Sequence, residues 1–539
     1  MNAKALLFAL ACVAACGSVD EQPKDAATDD AVSSDADTPA FTLASTTPNP
    51  SVPLGGANVI GVRITRSGGF AGEVTVAAQT PPAGLTVTPV TIAAGETTGV
   101  VQVTAAAPLV LGNMVSFTLE ATGTGVASQS VTISDAPITG RPGAPDTSFG
   151  PGGGVASISL GADDDGAFRA LDVIGDTVLG VGWSTAGLGA QRFISMRFTA
   201  AGTADTTWNS GTVLRTGFTG SSSESSHAFA AGRQTDGRNI LIGENVNTDS
   251  NIALARTSTT GGGGGVDFGD GTGKSLVNLG GTENVTDGLV LASNQIIAVG
   301  SRNGQMFVAR MSSGGLLDTT FNSPTGYATA TLGGSSTATD VVLDDQDRLV
   351  VAGSLDAGSQ QDLFIRRYAA AGSLDGAFGG NNGVLVTGPD SEVPVGLAVV
   401  GNKIVVASNA ATSLGARIRV RRFASDGSVD STFGIGGVAE YTPSAGGGPA
   451  VDMTTLPDGR IVVLANANGA AQLIRFSADG VSDSLFGTSG DGSATIAIGD
   501  SGEPTCVTAY DLHRVVVGGG NQGGTPGPGT FAVIARIWM

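Results

Sequence analysis

The chain has 539 residues, too many for one hydrophobic core, and its 84 glycines, 5% aromatic content and formal charge of −20 describe a turn-rich, acidic protein in which helices are scarce. That charge repels phosphate backbones, and lysine occurs only at Lys4, Lys24, Lys274 and Lys403, which argues against nucleic-acid binding. His227 and His513 are the only histidines and stand far apart, so no histidine-based zinc cluster is expected and no metal ligands are assigned.

At the start, MNAKALLFALACVAAC joins Lys4 to an apolar run from Ala5 to Ala15 that is too short to span a bilayer, and residues 1–15 read as an export signal. The order of apolar run, Val13-Ala14-Ala15, Cys16 and Gly17 resembles the lipobox of bacterial lipoproteins. The resemblance implies that Cys16 is lipidated and becomes the new N-terminus, held on a membrane by several acyl chains. Gly17 and Ser18 lack the aspartate that retains such proteins in the inner membrane. The implied location is the outer membrane, on either face. Cys12 would leave with the signal, so Cys506 is the one thiol expected in the folded part, and no intrachain disulfide is expected. Within TCVTAY, Cys506 reads as a small buried hydrophobe rather than a nucleophile. Residues 16–40, rich in Asp, Ala and Ser, cannot offset the entropy of ordering and form an acidic, disordered tether.

Residues 41–138 carry period-two runs such as VIGVRITR (59–66), GEVTVAA (72–78) and MVSFTLEA (114–121), broken by Gly, Pro and Asn, which is the pattern of an antiparallel β-sandwich. About seven such strands resemble a bacterial immunoglobulin-like domain, here without paired cysteines. The resemblance implies a spacer or adhesive module.

Over residues 141–539 one phrase recurs, DTSFG, DTTWN, VDFG, DTTFN, DGAFG, DSTFG and DSLFG, with its aromatic at Phe149, Trp208, Phe268, Phe321, Phe378, Phe433 and Phe486. A β-rich run such as DRLVVAGS (347–354), a strand ending in arginine such as LFIRRY (363–368), and two further short strands keep step with it. Four strands per repeat and seven repeats predict an all-β chain whose second part is a seven-bladed β-propeller. The wording D-G-[KR]-I-V-V-x-G followed by ARY-x-x-x-G-S-x-D-x-x-FG resembles the delta-60 repeat of bacterial surface proteins, which implies an exported location and little chemistry. The copy around Phe268 departs most from it. An arginine stands eight residues before the repeat aspartate in Arg197/Asp205, Arg310/Asp318, Arg367/Asp375, Arg422/Asp430 and Arg475/Asp483. Five copies at one spacing predict structural ion pairs, because a guanidinium buried between blades needs a carboxylate or carbonyls. The last repeat stops in its arginine strand at TFAVIARIWM, while GAPDTSFG and GGGVASISLG stand before the first full repeat. Residues 153–160 are therefore expected to pair antiparallel with 530–538 and close the ring.

Catalytic motifs fail on inspection. Gly273-Lys274-Ser275 ends like a phosphate-binding loop, but the first glycine of that loop is Phe268, and a strand pattern follows instead of a helix. GDSGEP (499–504) approaches the serine motif of chymotrypsin-like proteases, yet Glu503 replaces the glycine that opens the oxyanion hole. Calcium is the one ion to consider, because GGGGGVDFG partly fits a calcium-binding nonapeptide, though in a single copy, and DDDG (163–166) lacks loop spacing. No cofactor is otherwise expected. Loops entering the innermost strands carry Asp163, Asp164, Asp165, Glu224, His227, Glu283, Asp390, Glu392 and Glu503, which on one face of a propeller would form an acidic funnel rim. Trp183 is the main candidate for stacking on a sugar. The reading is a monomeric, non-catalytic binding or scaffold module for a protein or polysaccharide, with a propeller lyase or glycan hydrolase as the alternative.

Overall fold

The computed structural model of the chain describes residues 38–539 apart from 152, 162–163, 187–188, 247–249, 357, 359, 381–382, 445, 500–502 and 522–529. The export signal, Cys16, the tether up to residue 37 and Asp163 lie outside the described residues. Among those described, the helical elements are two three-residue 3-10 turns, Asn209–Gly211 and Phe378–Gly380, and the regular structure is otherwise β.

Alternation builds the first unit. Along Asn58–Ser67 the residues Ile60, Val62 and Ile64 are buried while their neighbours face outward, the period that makes a strand with one covered face. One sheet runs in the order Ala40–Ser45, Asn58–Ser67, Thr98–Ala105 and Leu85–Thr88. A second runs Val52–Pro53, Gln129–Thr139, Met114–Gly123, Val74–Gln79 and Val90–Ile92. Side chains of both, among them Phe41, Val62, Val76, Val101, Leu119 and Ile133, share one core.

The remainder is built from four-stranded antiparallel units that follow each other along the chain. The first is Gly166–Ile174, Thr177–Ala186, Ala190–Phe198 and Leu214–Thr216. Innermost strands of the next five are Ser225–Arg233, Glu283–Val290, Ser335–Leu343, Ser391–Val400 and Ala450–Thr455. A closing unit takes Glu503–Ala509, Arg514–Asn521 and Thr530–Trp538 from the end of the chain and Val155–Gly161 from before the first unit. Val155 faces Ala535, Ile158 faces Ala532, and the pairing is antiparallel, as expected for residues 153–160 and 530–538. Each innermost strand carries a β-bulge at the same place, for example between Ala338 and Asp340. The bulge explains the glycine of VVAGS: a Cβ on Gly353 would lie 2.2 Å from the Thr337 carbonyl oxygen.

The recurring phrase is a latch between units. Its aromatic ring is buried at every copy, from Phe149 to Phe486. The repeat arginine lies over that ring, 4.5 Å from the centroid at Arg367 and Phe378 and 5.2 Å at Arg197 and Trp208. Its Nε or Nη2 meets the repeat aspartate at 2.6 Å in Arg197–Asp205, 2.8 Å in Arg310–Asp318, 2.7 Å in Arg367–Asp375, 2.9 Å in Arg422–Asp430 and 2.7 Å in Arg475–Asp483. In four of these five pairs Nη1 donates onward to a turn carbonyl of the following unit, as from Arg310 to Ala370 at 2.6 Å and from Arg422 to Ala478 at 2.6 Å, whereas Arg475 Nη1 is buried without such a bond. The copy around Phe268 has Gly265 where the others have aspartate, and Arg256 pairs with Asp267 instead. A further pair closes the two ends of the repeat region, Arg536 with Asp146 at 2.8 Å. Burial alone would raise the Asp146 carboxyl, but its hydrogen bonds from Ser148 and the charges of Arg536 and Arg514 hold it below the usual range.

Candidate functional site

Most of the loop acids are spread over the units. Asp164 meets Arg215 at 3.0 Å, and Asp165 is buried with its Oδ1 accepting from Gly166 N at 3.0 Å. Glu224 is buried and accepts from Ser226 Oγ at 3.0 Å. Buried Glu283 stands 3.6 Å from Arg302, and Glu503 begins the innermost strand of the closing unit opposite Gly520. His227 lies between Gln191, at 2.9 Å, and Glu244, at 3.5 Å. Trp183 meets the His227 ring edge-on and is buried, so it offers no face on which a sugar could stack. Lys274 begins a strand, Lys274–Val277, and its Nζ donates to the Gly217 carbonyl at 2.9 Å. Ser501 of the GDSGEP motif lies outside the described residues. Among the described residues no group of three or more His, Cys, Asp or Glu is placed to hold a metal ion.

Two of the loop acids do converge. Asp390 and Glu392 meet around Arg419 at the fifth unit, at distances of 2.7 and 3.4 Å, and Glu440 holds the same guanidinium at 2.6 Å. Arg421 forms a bidentate pair with Glu392, both hydrogen bonds at 2.7 Å. Burial raises the Glu392 carboxyl, yet Arg421, Ser408 and Arg419 together hold it below the usual carboxylate range. These groups lie in a cavity of about 720 Å³ walled by Val386 from the fourth unit's outer strand, Pro389 from the connection that follows it, Val438 from the fifth unit's outer strand, and Ile435 and Val481. The two arginines explain why the space is open. They stand three residues and one residue before the repeat arginine, where the first unit has Ile194 and Met196, the third Phe307 and Ala309, and the closing unit Val533 and Ala535. Those counterparts are buried in clusters shared with the preceding unit. Aligning the copies on the repeat arginine was the signal in the sequence that could have found Arg419 and Arg421.

A second group, also outside the sequence expectations, lies on the innermost strands just after the bulge. Asp287, Asp340 and Asp452 occupy the same place in the third, fourth and sixth units, half-buried, and each accepts from a backbone N–H of a later innermost strand: Val341 at 3.0 Å, Leu397 at 2.7 Å and Val507 at 2.7 Å. Burial and the charge of Asp340 push Asp287 well above the usual range, and burial raises Asp340, to which Asp287 is hydrogen-bonded. Burial pushes Asp452 up to about 8 and the neighbouring Cys506 thiol up to about 12, so neither is charged in the way a metal ligand or nucleophile requires.

Three stretches, residues 347–378, 402–433 and 456–486, match a family model described as "Domain of unknown function (DUF5122) beta-propeller". The chain carries β-propeller repeats. No curated protein matches it. Among solved structures it is similar to a protein from Lactobacillus plantarum at 13% identity, covering 67% of this chain and 99% of that one with a TM-score of 0.42. A protein of unknown function from Dyadobacter fermentans is similar at 11% identity, 71% and 98% coverage and a TM-score of 0.40. Regucalcin, a calcium-binding protein from Agrobacterium tumefaciens, is similar at 11% identity, 57% and 90% coverage and a TM-score of 0.32. Within the propeller, then, each four-stranded unit is a blade, and the cavity is a wedge between the fourth and fifth blades that side chains leave unfilled.

Proposed function

We propose that the chain is a lipid-anchored, non-catalytic binding protein of the outer membrane. In this reading Cys16 carries the lipid, residues 16–40 are the tether, an immunoglobulin-like sandwich over 41–138 is a spacer, and a monomeric seven-bladed propeller closed by Val155–Gly161 against Thr530–Trp538 presents the ligand site. The observation that carries it is the cavity between the fourth and fifth blades, whose acids are paired with Arg419 and Arg421. Carboxylates held ionised by guanidiniums recognise a ligand but do not donate protons to one. Val438→Trp fills the cavity from its wall. Purified wild type on peptide and glycan arrays is expected to bind a class of ligand that the Trp variant does not, and equal binding by both removes the cavity from the proposal. For the anchor, Cys16→Ala is expected to move the protein from the membrane pellet to the soluble fraction.

A propeller lyase or glycan hydrolase is the second reading, favoured by one observation: Asp287 and Asp340 are hydrogen-bonded carboxyls from neighbouring innermost strands, both raised by burial, the arrangement acid–base pairs use. Turnover of a polysaccharide by wild type and its loss in Asp340→Asn would establish that reading. No cofactor is part of either.

A further inference from the structure

Three carboxylates, Asp390, Glu392 and Glu440, face two guanidiniums in the wedge, which leaves it one negative charge in a chain already at −20. Glu392 is buried beneath the arginines, whereas the Glu440 side chain is 44% exposed. The surplus charge therefore lies on the open side, where an incoming group meets it. Around it the surface is apolar: Ile435 is 91% exposed and Val481 63% exposed, both on the cavity wall. Val438–Tyr441, which carries Val438 and Glu440, stands last in the order of its sheet. Val438 already exchanges backbone hydrogen bonds with Ile435, at 2.8 and 3.4 Å, so an extended segment can add to this edge only from Glu440 onward.

We infer that this wedge takes a lysine side chain presented by an extended peptide, the ammonium on Glu440 and Asp390, the aliphatic stem and its apolar neighbours against Ile435, Val438 and Val481, and the backbone beside Glu440 at the end of the blade edge. A volume of about 720 Å³ holds one long side chain with parts of two flanking residues. A cation in a half-closed cleft is stabilised by the unbalanced carboxylate more than it would be on the open surface, because less water screens the pair. The inference deepens the binding reading and rests on it.

The test is calorimetric titration of the full chain with acetyl-Val-Lys-Val-amide, the same peptide with norleucine or glutamate in place of lysine, and 1,5-diaminopentane. Expected is tightest binding of the lysine peptide, at least about tenfold over the norleucine peptide, weakened about tenfold in Glu440→Gln and by raised salt, and unchanged in Glu120→Gln on the Met114–Gly123 strand of the N-terminal two-sheet unit. Thermal unfolding of Glu440→Gln checks that the variant is folded. Equal binding of the lysine and norleucine peptides, or preference for the glutamate peptide, overturns the cationic inference while leaving the cavity a binding site. Diaminopentane binding as tightly as the lysine peptide overturns the peptide. Absence of binding by every probe overturns the inference entirely, and the array comparison with Val438→Trp then decides separately whether the cavity binds anything.

Discussion

Arg367 shows how much one position in the latch supports. Its guanidinium covers the Phe378 ring, pairs with Asp375 at 2.7 Å and reaches a carbonyl of the next blade at Ser425. Arg367→Met keeps the stem but leaves Asp375 without its main partner, and breaking a pair this buried costs on the order of 3 kcal/mol. Chemical denaturation of the variant is expected to show that loss, with a smaller loss in the variant that also carries Asp375→Asn. At Asp452 the sign is opposite. Burial holds its carboxyl up to about 8 against an ordinary 3.8, so the stability associated with its neutral form is complete below about pH 4 and is lost as pH rises through 8. Asp452→Asn retains an acceptor for Val507 N, and its melting temperature is expected to exceed wild type by about 2 °C or more at pH 8.5 while matching it at pH 4. A difference that is the same at both values would mean the carboxyl is ordinary. Asp146, Asp205, Asp318 and Asp375, held low by their hydrogen bonds and arginines against the effect of burial, contribute the reverse: stability present above the unfolded value and lost in acid.

Between blades, the element that fits is the turn before the repeat aspartate. Gly372 has φ +88°, and a Cβ there would stand 2.6 Å from Asn322 N and 2.9 Å from the Phe321 ring of the preceding blade. The glycine lets the turn lie flat on that ring, where Asn322 N donates to the Ala371 carbonyl at 2.7 Å. Gly372→Ala meets both backbone strain and overlap and is expected to destabilise by more than about 1 kcal/mol, read from denaturant midpoints. Deleting residues 530–539 removes the strand Thr530–Trp538, the partner of both Arg514–Asn521 and Val155–Gly161, and with it Arg536 from Asp146. Thermal unfolding of the truncated chain is expected to shift the whole β transition downward, since two edges would be left unpaired. An unchanged midpoint would show that the pairing carries no stability.

For the molecule as a whole, what was legible and what was not divide by the distance over which information acts. Period-two runs, glycine-punctuated turns and the recurring aromatic phrase are local, and they disclosed the all-β class, the repeat and the partners Arg310 and Asp318, eight residues apart. Copy number and a last repeat lacking a strand disclosed the pairing of Val155–Gly161 with Thr530–Trp538, because an unpaired edge is costly wherever it falls. The candidate site was only half legible. Asp390 and Glu392 were found as loop acids, but read as a rim, whereas Glu392 is buried beneath two arginines. Asp287 and Asp340 sit 53 residues apart on strands of different blades, and Arg419 shares a cavity with Val386 of the blade before it and Val481 of the blade after.

The sequence by itself determined the strands, their repeat and the latch, because hydrophobic period and short-range spacing fix which face of a strand is covered and which charges are neighbours. Only the tertiary structure decided where the wedge stays open and which carboxyls meet. Both depend on the angle and spacing at which one blade packs on the next, and a cavity is the difference between two such surfaces, a quantity no single strand encodes.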